Sequence, residues 1–155
     1  MLGMTINSLN ISVNTNGGVF SCSLPLGNGL NVIRAENSSV KSTCVNAIAY
    51  GPGLEAILGP SRNRPFPKSL YEEIFDTKSD QNPYFVSTST VSLDIENSNG
   101  EKAVLLRDIS GNDRKISVEI DGEEKDYFLG SSGQVGSAVS ERGFHHWLAE
   151  FIGWM

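Results

Sequence analysis

Apolar and polar positions alternate near the start of the chain. Leu9, Ile11 and Val13 alternate with polar neighbours, and Asn14-Thr15-Asn16-Gly17-Gly18 follows as a turn. Val19 to Leu24 then returns, so residues 5–25 read as a β-hairpin. Gly27-Asn28-Gly29 breaks the chain, and Leu30-Asn31-Val32-Ile33 is a short apolar run of the kind a buried strand shows. From Lys41 the period changes. Cys44, Val45 and Ile48 fall on one helical face, and Gly51-Pro52-Gly53 ends that helix. Residues 30–50 therefore read as strand, tight loop, helix.

Residues 54–83 are interrupted by Gly59, Pro60, Pro65, Pro67 and Pro83. They leave room for short helical pieces, one over 68–75, and read as an excursion over the surface. From 84 to 129 the period is two. Val91, Leu93 and Ile95 alternate, Asn99-Gly100 and Gly111-Asn112-Asp113-Arg114 are turn signals, and Asp121-Gly122 leads into Tyr127-Phe128-Leu129. That pattern predicts a meander of about four antiparallel strands. A Gly/Ser loop over 130–137 precedes a final helix. Its apolar stripe is Phe144, Trp147, Leu148, Phe151, Ile152 and Met155, with Ser140 as its N-cap and no stop signal after it.

With 155 residues and 39% apolar positions, the chain is sized for one domain with a real core. A net charge of −6 excludes strong nucleic-acid binding by this chain alone, because phosphate neutralisation needs a basic face. The two cysteines, Cys22 and Cys44, have neither metal spacing nor a disulfide framework. No basic n-region opens the chain and no apolar run reaches the roughly 18 residues of a membrane span, so the expectation is a cytoplasmic protein without a membrane partner.

Chemistry concentrates at Lys41-Ser42-Thr43. At the head of a helix, loop amides point at phosphates, a lysine reaches the β/γ oxygens and the next hydroxyl holds Mg²⁺. The phosphate-loop pattern G-x-x-x-x-G-K-[ST], aligned on Lys41, would place glycines at 35 and 40, where this chain has Ala35 and Val40. A plain strand–turn–helix also accommodates a Lys-Ser pair at its helix start.

The string from Leu30 to Ser39, followed by Lys41-Ser42-Thr43, resembles the N-terminal lobe of SMC-like ATPases. These form the chromosome-maintenance, DNA-repair and anti-phage branch of the ABC-type P-loop proteins. The stretch from Glu141 to Trp154 is similar to the helix that follows the first-lobe sheet in those proteins. The resemblance implies an α/β P-loop lobe: a mixed sheet whose central strand feeds the loop, with an antiparallel β-meander and a C-terminal helix. It implies ATP and Mg²⁺ as ligands. Lys41 would take the β/γ phosphates, Ser42 the Mg²⁺ and Thr43 the α-phosphate, while Asn37, Ser38 and Ser39 would offer amides. Val40 departs from the pattern, since a branched Cβ before the lysine crowds the phosphate and weakens binding.

Family members continue into a coiled coil and a second lobe with carboxylates at a strand end. Neither Asp94, in mid-hairpin, nor Glu123-Glu124, beyond a turn, fits that role. The chain thus resembles half an ATPase head, inactive alone and completed by a C-terminal lobe or partner head, with DNA engaged only in the full assembly. The alternative is a degenerate module acting through protein–protein contact. A third reading is a β-rich binding domain in which the likeness is accidental.

Gln134 is the candidate metal-sensing glutamine, although the surrounding Gly and Ser residues also read as a linker. The adjacent His145 and His146 point about 100° apart on a helix and do not share a metal. Cys44 reads as a buried packing thiol. Glu123 to Asp126 reads as a solvated turn, and Arg62, Arg64 and Lys68 as a basic loop. Arg34 is open between sheet and nucleotide. The apolar stripe of the last helix also predicts self-association.

Overall fold

The computed structural model describes residues 3–59, 65–74, 82–129 and 143–154. The first hairpin is formed by β1 (Met4–Thr15) and β2 (Gly18–Pro25), joined by the two-residue turn Asn16-Gly17. Helix α1 (Ser38–Tyr50) follows, then a 3₁₀ turn (Glu55–Leu58), a second one (Lys68–Leu70) and the short β3 (Glu73–Ile74). The meander is β4 (Tyr84–Asn97), β5 (Lys102–Ser110), β6 (Lys115–Ile120) and β7 (Glu123–Phe128), and helix α2 (Phe144–Phe151) comes last.

Every pairing among the described strands is antiparallel. The order is β2-β1-β4-β5-β6-β7, with β3 beside the start of β4. This corrects the expected α/β P-loop lobe. The described residues form a small β-rich domain of seven strands and two α-helices, and no described strand of the sheet feeds α1. Residues 30–33 are the point of failure. Leu30 and Val32 are 92% and 82% exposed, and the segment pairs with no described strand. Asn31 explains the geometry locally. Its Oδ1 accepts the Gly27 N–H at 2.8 Å, and its amide donates to the Gly27 and Gly29 carbonyls at 2.8 and 3.2 Å. A side chain that satisfies backbone in this way favours a compact loop over a sheet ladder.

The sheet is one-sided. Register places Leu9 opposite Leu93, Leu93 opposite Leu105 and Leu105 opposite Val118, all buried, so one apolar band crosses four strands. The opposite face carries Ser8, Asn10, Ser12 and Ser92, with Ser8 donating to Asp94 at 2.7 Å. Both helices cover the apolar face, through Cys44, Ala47 and Tyr50 of α1 and Phe144 and Leu148 of α2. This period-two division is the one the sequence predicts for 84–129.

Both helices end in the same way. Leu54 N–H donates to Ala49 and Gly53 N–H to Tyr50, with Gly53 at φ +70°. Trp154 N–H donates to Ala149 and Gly153 N–H to Glu150, with Gly153 at φ +80°. These are the paired bonds of a Schellman cap, in which glycine takes the left-handed position. The expected end of α1 at Gly51-Pro52-Gly53 holds. Helix α2, expected to run on without a stop, is closed by Gly153. Its expected N-cap, Ser140, lies outside the described residues, as do Gln134, Arg62, Arg64 and the loop 130–137; the helix opens after Gly143.

Candidate functional site

Helix α1 opens at Ser38, three residues ahead of Lys41, so Lys41 and Ser42 stand on its first turns rather than in a loop before it. Asn37 and Ser38 are exposed, Lys41 is half-buried and Ser42 faces solvent. No acidic residue lies in the first turn. The amides at a helix start carry partial positive charge, and the first turn of α1 holds no acidic side chain, the nearest in sequence being Glu36 just before it. Ser39 shares the same turn. Arg34 and Glu36 are exposed on the approach to it.

The structure separates the remaining expected site residues from that group. Val40 and Thr43 line an apolar cavity of about 330 Å³, enclosed by β1, β2, the start of α1 and the segment 65–74. Val13, Phe20, Cys22, Cys44 and Leu70 are among its walls. The face of α1 bearing residues 40, 43 and 44 therefore looks at the sheet, while Ser42 looks away from it. Asn46 fixes the flank by donating to the Pro65 carbonyl at 2.7 Å.

Cys22 reaches this cavity through hairpin register. It stands opposite Ile11, as Phe20 stands opposite Val13, and directly paired residues share a face of the sheet. Sequence reasoning treated Cys44 as a packing thiol and gave Cys22 no role. Cys44 is indeed buried, whereas Cys22 is exposed. The missing signal was available: Phe20, Cys22 and Leu24 alternate opposite Val13, Ile11 and Leu9 once the turn is set at Asn16-Gly17. Burial pushes the Cys44 thiol above its ordinary range, and the neighbouring Cys22 adds to the effect.

A charged cluster that the sequence did not single out lies under the other end of α1. Arg107, 3% exposed, takes a position in the apolar band between Leu105 and Ile109. Its guanidinium binds both carboxylate oxygens of Glu55 and donates to the Tyr50 and Asp113 carbonyls at 2.6 and 2.7 Å. The donors are spent on protein groups, so the cluster is structural. Burial pushes the Tyr50 phenol up to about 12, against the opposing pull of Arg107.

His145 and His146 are exposed, and His146 Nε2 lies 3.4 Å from Glu150 on the same helix. No group of three or more metal-ligating side chains occurs among the described residues. Glu123 to Asp126, expected as a turn, form edge strand β7; the turn is Asp121-Gly122, both in the left-handed region at φ 52° and 82°. Among the described residues no helix is long and apolar enough to cross a membrane. No family model matches the chain, and no curated protein or solved structure matches it either.

Proposed function

We propose that the chain binds the phosphate end of a nucleotide such as ATP at the start of α1, in the cytoplasm, and works as one part of a larger ATP-dependent assembly. The observation that carries this reading is the solvent-open, acid-free first turn of α1, with Lys41 and Ser42 on it and Asn37-Ser38 leading in. Helix-start amides with a nearby lysine are a general anion site, and a serine hydroxyl there is a Mg²⁺ ligand once phosphate is bound. The resemblance of residues 30–43 to the SMC-like ATPases supports the same assignment. Lys41 would neutralise phosphate oxygens, Ser42 would hold the metal, and the amides around Ser38 and Ser39 would orient the terminal phosphates.

Hydrolysis belongs to the assembly. Phosphoryl transfer needs a group that positions the attacking water, and the first turn of α1 holds no acidic side chain for that role. Calorimetric titration of the chain with Mg-ATP, beside Lys41→Ala, tests the binding. The expected result is saturable binding that weakens at least about tenfold in the variant, roughly 1.4 kcal/mol. Equal affinities, or no binding by either form, would sink it.

A second reading, an interaction module acting by protein–protein contact, is favoured by one specific observation. Leu30 and Val32 are exposed on a segment that pairs with no described strand. An exposed apolar segment of this kind is suited to being covered by another chain.

A further inference from the structure

We propose that Cys22 and Cys44 form a reversible disulfide that staples edge strand β2 to helix α1 across the mouth of the apolar cavity. Two observations on geometry meet here. Both residues line the same cavity. Antiparallel register turns Cys22 to the face of the sheet that α1 covers, because its direct partner Ile11 is buried there. In keeping with this, the nearby Cys22 adds to the upward push that burial gives the Cys44 thiol. Two thiols facing one another from separate elements, one exposed and one buried, have the arrangement of an attacking and a resolving cysteine.

The order of events follows from access. The Cys22 thiolate attacks one sulfur of a low-molecular-weight disulfide, such as oxidised glutathione, and displaces one glutathione thiolate. A mixed disulfide is left on Cys22 Sγ. Cys44 then loses its proton and attacks Cys22 Sγ, forming the S–S bond and expelling the second glutathione thiolate. Two electrons pass from the protein thiols to the small disulfide, and the two departing thiolates take up the two protons. Burial raises the Cys44 thiol, which leaves the first attack to the exposed Cys22 and protects Cys44 from bulky oxidants, and it makes deprotonation of Cys44 the slow part of the second step. The reaction joins elements that otherwise share only the apolar walls of the cavity, so it narrows the cavity and holds the start of α1 against the hairpin. This inference is independent of phosphate binding at Lys41, because neither thiol lies on the solvent side of the helix.

The test uses the whole chain, reduced and then equilibrated with mixtures of reduced and oxidised glutathione. Free thiols are trapped with N-ethylmaleimide before intact-mass and peptide analysis. The expected product is monomeric, takes up no maleimide, weighs less by two hydrogen atoms and yields a Cys22 peptide joined to a Cys44 peptide. Its Tm should exceed that of the reduced form by about 5 °C or more. Cys44→Ser should stop at a glutathione adduct on Cys22, and Cys22→Ser should stay unmodified while folded. Should Cys44→Ser fail to fold, the wild-type products decide alone. A wild-type adduct that remains on Cys22 with Cys44 still free, or a dimer joined through Cys22, would overturn the proposal.

Discussion

Arg107 and Glu55 meet as a two-pronged pair. Nη2 and Nη1 lie 2.8 and 2.9 Å from the two carboxylate oxygens, and the guanidinium stacks 3.8 Å from the ring centre of Tyr50. The pair ties the 3₁₀ turn after α1 to the central part of β5, and the Arg107 bond to the Tyr50 carbonyl brings in the helix end. A buried arginine is tolerated in an apolar band only when its donors are satisfied. Four hydrogen bonds to Glu55, Tyr50 and Asp113 supply that satisfaction.

Removing the carboxylate should therefore cost more than a surface pair would. Glu55→Ala is expected to lower the unfolding free energy by about 2–4 kcal/mol, since Arg107 is left charged and under-bonded. Burial raises the Glu55 carboxyl, but the Arg107 hydrogen bonds and charge outweigh it, so the group sits below its ordinary range. A depressed folded value means stability that is present above the ordinary carboxylate range and lost as pH falls through the folded value. Urea denaturation of wild type and Glu55→Ala should differ at neutral pH and converge in acid. A gap that is independent of pH would refute the ion-pair account.

Tyr50 should behave oppositely. Its hydroxyl donates to the Asp108 carbonyl at 2.5 Å, and burial pushes the phenol up to about 12. With the folded value raised, its contribution is complete below the ordinary tyrosine value of about 10 and declines as pH rises toward the folded one. Ultraviolet titration of wild type beside Tyr50→Phe should assign to Tyr50 a phenol that ionises late, in step with alkaline unfolding. Ionisation of Tyr50 near the ordinary value of about 10 in folded protein would contradict the burial.

Glycine at position 53 carries two requirements that can be separated. A Cβ there would stand 2.6 Å from Leu129 Cδ2 and 3.1 Å from His145 Nε2, at φ +70°. At Gly122, φ +82°, the same atom meets nothing within 4 Å. Gly122→Ala should cost only the backbone strain, about 1 kcal/mol. Gly53→Ala should cost the same strain plus the displacement of Leu129, about 1–3 kcal/mol more. Equal losses in thermal denaturation would show that α1 does not close on β7's end as described.

Much of this architecture was legible in residue order. Period-two alternation located two directly paired strands inside the sheet, through Leu9–Val13 in β1 and Val91–Ile95 in β4, and the Asp121-Gly122 pair marked a hairpin whose two residues must both take positive φ. Residues 30–33 misled because three apolar positions do not name a neighbour, and Asn31, read as part of a buried strand, instead organises a loop. The site was legible as a helix start but not as a cradle. Whether Val40 faces a ligand depends on which side of α1 meets the sheet, and that is set by long-range packing of Cys44 and Ala47 rather than by local spacing. Arg107 was invisible for a related reason. A lone charge in an alternating strand declares its partner only once Glu55, 52 residues away in sequence, arrives beside it.

Self-association, expected from the last helix, should instead be driven largely by residues 30–33. The stripe of α2 is mostly used within the molecule: Phe144 and Leu148 are buried, and Trp147 stacks on Phe151 with ring centres 5.0 Å apart. Among the described residues of this segment, Trp154 is the large apolar side chain that projects, 73% exposed, beyond the Gly153 cap. Leu30 and Val32 expose more of themselves, on a segment that pairs with no described strand. Sedimentation over a range of concentrations should show reversible association. A Leu30→Ser, Val32→Ser double variant should weaken it by about tenfold or more, the equivalent of roughly 1.4 kcal/mol. Trp154→Ser should weaken it less, and Phe151→Ser should lower stability instead, because it removes the ring against Trp147. A double variant that associates as wild type does, with Trp154→Ser alone monomeric, would return the contact to the end of α2.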